Sequence, residues 1–443
     1  MFSEAAAKSW LVIFDPTLKS CAGHSYNYDF TVADQAKERF DRVVIYADEE
    51  FQAPGVRDIT VKCIPQSLFL RVLRSVVGRI LPRTDSAAAP NAPTAGVPQP
   101  LLRLWKNLRA RGLAASLVRA LRLLESSPGD RIHVFLQRAD LYEIAGVDAF
   151  CARYTATTGK ELTFHLLLRH DPAITRAEQE STEAFGARLS RLSTATNPDI
   201  RFHTDSEAIA RAYRTLTGVE KQFTVVPIPV SRKASANTRI QTDRTTHLVR
   251  ISILGSPRME KGFGTLPTLI PLFPATFGDT PVHLAVQIDR RTADPSVVRV
   301  IRWLDAYAVR SPDNGPVLEL LDGPAPEDVY FSWLARTDIL VAPYISPKYA
   351  TSTSGVFIEA LHCGVPSVVM RGTWSSELIR EAARRGLAIG EVVDCVEAIP
   401  ECTRNICTRL AHYGLDVGTY VDEWKRKYSA GVAELLTADP RSA

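Results

Sequence analysis

Nowhere in this 443-residue chain does an apolar run reach the roughly 18 residues that span a bilayer, so no segment reads as a transmembrane helix. The first residues, MFSEAAAKSWLVIF, lack the basic stretch and long apolar core of a secretory signal. Both absences predict a protein that is neither secreted nor integral to a membrane. Cysteine is sparse and scattered: seven residues, with no CxxC pair and no Cys/His cluster at zinc spacing. This argues against a disulfide framework or a structural zinc and predicts a reducing, cytoplasmic setting. Neither sign of charge dominates, because 53 basic residues face 49 acidic ones for a net charge of +4. So small an excess does not by itself imply a nucleic-acid partner. What the chain does have is ordinary for a globular protein, 45% hydrophobic and 23% charged residues, at a length that suggests two to three domains with well-buried cores.

Short apolar runs alternate with longer amphipathic segments, which predicts parallel sheets covered by helices. In the first half the strands expected are WLVIFD (10–15), RVVIYA (42–47), DITVKCI (58–64), RIHVFL (131–136), LTFHLLL (162–168), IRFHT (200–204) and FTVVPI (223–228). SEAIARAYRTL (206–216) reads as a helix with Ser206 as its N-cap. The polar stretch 231–246, SRKASANTRIQTDRTT, reads as an interdomain linker. Alternation restarts with HLVRISIL (247–254), PVHLAVQI (281–288), PVLELL (316–321), DILVAPY (338–344) and PSVVMR (366–371). The fold class expected is therefore α/β, with two Rossmann-like, doubly wound parallel-sheet domains whose facing cleft, at the carboxyl ends of the strands, binds ligands. Their bounds are 1–235 and 247–415, with 416–443 forming a terminal helix.

One segment stands apart. SAAAPNAPTAGVPQP (86–100) is rich in Ala and Pro and reads as a disordered loop. It lies between two basic amphipathic stretches, LFLRVLRSVVGRIL (68–81) and LLRLWKNLRARGLAASLVRALRLL (101–124), neither of which contains an acid. Two readings fit: helices on an anionic membrane surface through residues 68–124, or helices packed on the first domain with a solvated basic face. Nucleic acid is the weakest partner, because only Trp105 interleaves the basic residues.

The chemistry concentrates in the second half. In ISILGSPRMEKGFGTL (251–266), a strand ends at Gly255, Arg258 and Lys261 follow three positions apart, and KGF is expected to open a helix. Two cations on a strand-to-helix loop, beside free helix amides, suit a phosphate group; a solvated loop with incidental charge is the alternative. TSTSGVFIEALHCGVP (351–366) presents a second anion site. A helix starting near Ser354 leaves amides of Ser354, Gly355 and Val356 free. Glu359, about one turn further in, can accept both hydroxyls of a ribose, or it is simply an exposed helix acid. His133, His165 and His203 fall within strands and are expected to pack there, and His362 receives no role.

GSPRMEKGF, the DILVAPY strand, SGVFIEALHCGVPSVV and the later Glu377 resemble the nucleotide-sugar half of the family 4 glycosyltransferases, a group with the two-domain GT-B fold. The likeness covers the order of elements over nearly the whole chain, with specific motifs in the second half and looser ones in the first. It implies that Arg258 and Lys261 hold the donor diphosphate and that the Ser354–Gly355 amides assist. Thr351, Ser352 and Thr353 then complete the donor-binding loop, and Glu359 binds the ribose. DPTLKSCAGHSYNYD (15–29) resembles the family's glycine loop, with Gly23 and His24 matching it. LLLRHDPA (166–173) resembles the segment whose histidine lies beside the donor sugar, which makes His170, followed by Asp171, catalytic candidates with Arg258 and Lys261. The terminal helix, 416–443, would cross back onto the first domain. The sequence departs from the pattern at Thr351, where the family has the first of two glutamates spaced eight apart.

The resemblance implies retaining transfer from a nucleotide-diphosphate sugar to a saccharide or lipid-linked acceptor; the setting expected is cytoplasmic, at the inner face of the plasma membrane if residues 68–124 touch it. The cations and helix amides would stabilise charge building on the leaving diphosphate. No cofactor is expected and no metal, since no Asp-x-Asp pair lies at a strand end. Two alternatives use the same donor groups. A non-catalytic nucleotide-sugar-binding subunit is favoured by Thr351, and a GT-B epimerase would need paired carboxylates in the first domain, where the sequence presents no evident pair.

Overall fold

Parallel strands buried on both faces carry few polar side chains, so each appears in sequence as a continuous apolar run. The computed structural model of the chain has a strand on all twelve runs singled out above and adds a thirteenth, β13 (Gly390–Val393). It describes residues 7–19, 24–52, 59–64, 99–152, 161–173, 180–195, 198–218, 223–229, 248–310, 316–345 and 347–437. The linker 231–246, the basic stretch 68–81, nearly all of the Ala/Pro-rich segment and Gly23 lie outside these residues. Contacts divide the chain into two compact units, Met1–Pro229 with Tyr428–Ala443, and Val230–Lys427.

The first unit contains β1 (Ser9–Asp15), β2 (Arg42–Asp48), β3 (Thr60–Ile64), β4 (Arg131–Leu136), β5 (Glu161–Leu168), β6 (Asp199–Thr204) and β7 (Phe223–Val225). They form one parallel sheet in the order β3-β2-β1-β4-β5-β6-β7. The order reverses between β1 and β4, the place where open α/β sheets bind ligands at their carboxyl ends. Side chains alternate between two cores. Val12, Val134, Phe164 and Phe202 pack on one face, and Leu11, Ile13, Phe135 and Leu167 on the other. Ser206 caps the helix Glu207–Thr217 by accepting from Ile209 N at 3.3 Å.

The helix Gln99–Arg122 takes in the last two residues of the segment expected as loop. Ala114, Leu117 and Ala120 bury its inner side in the same core as Ile144 and Val147 of the helix Leu141–Cys151. The side chains of 99–106 and the stretch 68–81 lie outside the described residues, whereas over 114–120 the helix packs on the first unit. Its outer side exposes Arg111, Arg119 and Arg122. Among the described residues, no helix is long and apolar enough to cross a membrane.

The three strand histidines do pack within the sheet, and they do so as a ladder. His133 Nδ1 lies 3.0 Å from His165 Nε2, and His165 Nδ1 lies 3.1 Å from His203 Nε2, with the rings stacked. Burial is the first cause that holds all three imidazoles neutral, to about 4 for His133, about 3 for His203 and well below normal for His165. Arg201 presses on all three, Arg131 on His133, and Asp199 opposes them at His133. An unfolded chain takes up protons here near pH 6.5 while the folded one does not, so stability present above that pH falls as the pH drops toward 4. The melting temperature should decline over that window. Combining His133→Leu, His165→Leu and His203→Leu should flatten the decline, and an unchanged acid limb would dismiss the ladder as its cause.

The second unit repeats the topology. β8 (Val249–Ile253), β9 (Val282–Ile288), β10 (Val317–Asp322), β11 (Ile339–Ala342), β12 (Ser367–Met370) and β13 run parallel in the order β10-β9-β8-β11-β12-β13. Counted from its own first strand, this is again 3-2-1-4-5-6, the doubly wound order. Ile251, Leu284, Val341 and Val368 face one core, and Leu254, Ala285, Leu321 and Leu340 another. The last helix, Leu410–Thr437, begins in this unit, where Val417 and Trp424 pack with Phe357 and Trp374. Its far part belongs to the first unit, where Tyr428 and Val432 join the core.

Candidate functional site

Past the carboxyl end of β8, the chain turns through Gly255 into a loop and two 3-10 turns, Met259–Lys261 and Phe263–Thr265. KGF does not open a helix as expected: Gly262 separates the two turns, and the α-helical part, Leu266–Leu269, is a single turn with Pro267 in it. Arg258 and Lys261 thus stand on a short turn, linked by Lys261 N donating to Arg258 O at 3.0 Å. Past β11, Pro347–Ala350 forms another 3-10 turn, and the helix Gly355–His362 follows with Ser354 as N-cap. Ser354 Oγ accepts from Phe357 N at 3.3 Å and meets the Tyr344 hydroxyl at 3.3 Å.

The two segments meet. A Cβ built on Gly255 would lie 3.0 Å from Lys261 Nζ and 3.1 Å from Val356 Cγ2, so the ammonium folds back beside the amino end of the Gly355–His362 helix. Gly255 N donates to Gln287 Oε1 at 2.7 Å, which pins the turn to the end of β9. Lys261 is pushed down to about 8, first by burial and then by Arg258, with Lys348 adding to the push while Glu260 and Glu359 oppose it. Among the described residues, Arg258 Nε is buried without a hydrogen-bond partner, as is Ser352 Oγ. This is a cationic pocket left under-compensated by the chain's own acids, the electrostatic condition for holding an anion.

Glu359 is not an exposed helix acid. It is buried, and Tyr330 of the helix Glu327–Ala335 donates its hydroxyl to Glu359 Oε2 at 2.7 Å. Burial, then the charge of Glu359, holds the Tyr330 phenol far above its ordinary value, so it remains a donor at any working pH. One carboxylate oxygen is therefore fixed by Tyr330. Thr351 and Thr353 are half-buried beside Ser352, and Gly355 is the first residue of the helix. Tyr330→Phe should weaken binding of a nucleoside diphosphate about tenfold by freeing the carboxylate, at little cost in fold stability. Calorimetry with UDP checks this, and unchanged affinity would detach Glu359 from the site.

The first-unit candidates are less closely gathered. His24 opens the helix His24–Ala36, but its side chain lies outside the described residues, as does Gly23. His170 is half-buried just past β5, and Asp171 Oδ1 accepts from Ala173 N at 2.8 Å, which makes it a turn cap. This unit contains one buried carboxylate pair among the described residues. Asp15 at the end of β1 accepts from Gln137 Nε2 at 2.7 Å and from Thr17, while Asp29 faces it from the helix. Neither Asp29 oxygen meets a donor, and burial followed by the charge of Asp15 raises its carboxyl well above the usual range. Asp29 is therefore neutral and supplies the proton between them. Both are sealed from solvent, Asp15 at 4% and Asp29 at 0% exposure, so the pair braces the strand-to-helix turn and does not face a substrate.

No protein-family model and no curated protein sequence matches the chain. Solved structures do. A trehalose-6-phosphate synthase, OtsA, is 10% identical over 98% of this chain and 99% of its own, with a TM-score of 0.64. Sucrose-phosphate synthase from Thermosynechococcus elongatus is 11% identical over 98% and 100%, with a TM-score of 0.62. HepE of Anabaena, solved in complex with UDP and glucose, is 12% identical over 98% and 99%, with a TM-score of 0.57. At these identities the likeness carries the fold: two Rossmann-like parallel-sheet domains of the GT-B class, along nearly the full length of the chain.

Proposed function

We propose that the protein is a retaining glycosyltransferase that takes a nucleotide-diphosphate sugar as donor and a saccharide or lipid-linked molecule as acceptor. One observation carries this reading: Arg258, buried Lys261 and the amino end of the Gly355–His362 helix converge past β8, with Glu359 close enough for its charge to reach Lys261. A pyrophosphate would neutralise the two cations, and the Glu359 carboxylate, held by Tyr330, would take the ribose hydroxyls. The same cations then stabilise charge that develops on the leaving diphosphate, which gives them more to do in the transition state than in the ground state and requires no metal. Proteins of similar fold have been solved with UDP-2-fluoro glucose, and with UDP and glucose, bound, which favours a UDP-sugar. Assignment to family 4 rests on the motifs alone.

His170 and Asp171 are proposed to act on the donor sugar, and Gly23 and His24 to serve the donor, as the resemblance to the family's glycine loop implies. The proposed setting is cytoplasmic, and peripheral attachment to an anionic bilayer draws support from the exposed Arg111, Arg119 and Arg122. Flotation with anionic liposomes tests the attachment; a protein left at the bottom has a soluble acceptor. For the core reading, a thermal-shift screen across UDP, GDP and their sugars should give one clear stabiliser, followed by slow donor hydrolysis without acceptor. Stabilisation without any turnover would instead identify a non-catalytic donor-binding subunit.

A further inference from the structure

The second unit has another polar recess, toward the opposite end of its sheet. Arg250 on β8 pairs in register with His283 on β9, both near the amino ends of their strands, and Glu319 on β10 stands beside them. Trp333, near the end of the helix Glu327–Ala335, and Arg336 just past it complete the wall. The recess is shallow, about 220 Å³ with the open solvent at its mouth included.

Its polar groups are unevenly matched. The Arg250 side chain has no hydrogen-bond or ion-pair partner among the described residues; only its backbone amide is engaged, by Asp338 Oδ2 at 3.0 Å. Arg336 donates Nε to Ser332 O at 3.2 Å and makes no ion pair among the described residues. Both guanidinium charges reach His283, whose imidazole is lowered first by burial, then by Arg250, with Arg336 adding to it and Glu319 opposing. Glu319, 3.3 Å from His283 Nε2, is the one acid lining the recess. His283 Nδ1 is buried with no partner. Ser252 and Thr337 satisfy each other at 2.6 Å and Thr337 also donates to Trp333 O, so the hydroxyls ask for nothing more.

Two guanidinium groups without an ion-pair partner among the described residues, in a recess lined by one acid, favour an anion. The imidazole narrows its chemistry. The Nε2 approaches Glu319 without a hydrogen bond between them; if that nitrogen carries the ring proton, the buried Nδ1 is an acceptor, and a ligand atom that reaches it must carry a proton of its own. We propose that this recess binds inorganic phosphate, one P–OH entering toward His283 while Arg250 and Arg336 take the remaining oxygens. Sulfate has the same shape and no proton to give. The site uses none of the nucleotide-sugar residues, and Gly255 lies five positions along the chain from Arg250, about 16 Å for near-extended backbone.

Calorimetric titration of the full-length protein with inorganic phosphate at pH 7.5 and constant ionic strength tests this. Phosphate also suits the Lys261 pocket, so the decisive titration uses the Lys261→Met protein, which should still bind phosphate once per chain. Adding Arg250→Ala or Arg336→Gln should each weaken that binding at least tenfold, with the melting temperature in phosphate-free buffer unchanged because both side chains lie at the rim. Sulfate should bind at least fivefold more weakly than phosphate, and a phosphomonoester such as glycerol 3-phosphate, mostly deprotonated at this pH, should resemble sulfate. No phosphate binding by the Lys261→Met protein, or binding indifferent to both arginine substitutions, overturns the site. Equal affinity for sulfate and phosphate overturns the role given to His283.

Discussion

Lys261→Met should reduce turnover of the nucleotide sugar by about 10²–10³-fold while raising the melting temperature of the protein. The two effects have one cause. Burial and the neighbouring Arg258 make the ammonium costly to keep charged, with a folded value of about 8 against the usual 10.5. An unfolded chain holds that proton more firmly between pH 8 and 10.5, so the group's penalty on stability is full below about 8 and disappears as the pH rises through 10.5. An apolar side chain of similar length removes the penalty and the charge together. A diphosphate placed beside the ammonium would restore its proton affinity, which is why such a cation is retained at a binding site. For the wild type, kcat/KM for the donor should therefore fall as the pH rises above about 8, and that limb should be absent from the residual activity of Lys261→Met. Steady-state kinetics across pH 6.5–9.5, together with melting curves, check all three statements. A variant that melts lower and turns over normally would make Lys261 a structural residue.

The strands were legible because the doubly wound topology buries them on both faces, and the topology followed from their alternation with helices. What escaped was set by register or by short range. β13 is only four residues long and carries Glu391, which looks solvent-exposed until the Tyr413 hydroxyl is found bonded to it. β7 ends at Val225 because Pro227 and Pro229 supply no amide to a neighbouring strand. In the candidate site, Arg258, Lys261, Ser354 and Glu359 could be proposed from sequence because local turns and a helix start announce them. Tyr330, Gln287 and Lys348 could not, since each arrives from a different crossover and nothing in EDVYFSWLA marks its tyrosine as the partner of Glu359. The Asp15–Asp29 pair and the histidine ladder were hidden for the same reason. Residues on separate elements come together only once the strand register is fixed, and a one-residue slip would send each to the other face.

Gly262→Ala should lower the melting temperature by roughly 10 °C and impair donor binding even in the protein that remains folded. Gly262 holds φ at +74°, a conformation that costs an alanine about 1–2 kcal/mol. The larger cost is contact: the added Cβ would sit 1.8 Å from the Pro343 carbonyl oxygen and 2.7 Å from its carbon, both backbone atoms that no rotamer change can move aside. Together the two effects amount to about 3–5 kcal/mol of destabilisation. Gly372→Ala separates them, because φ there is +78° with nothing within 4 Å of the new Cβ, so it should lose only the conformational part. Relief of the clash requires the Met259–Lys261 turn to move off the end of β11, and Arg258 and Lys261 move with it. The KM for the donor should accordingly rise at least tenfold in Gly262→Ala and stay near normal in Gly372→Ala. If the two variants matched in both melting temperature and KM, close packing of the loop against Pro343 would not be what positions the cations.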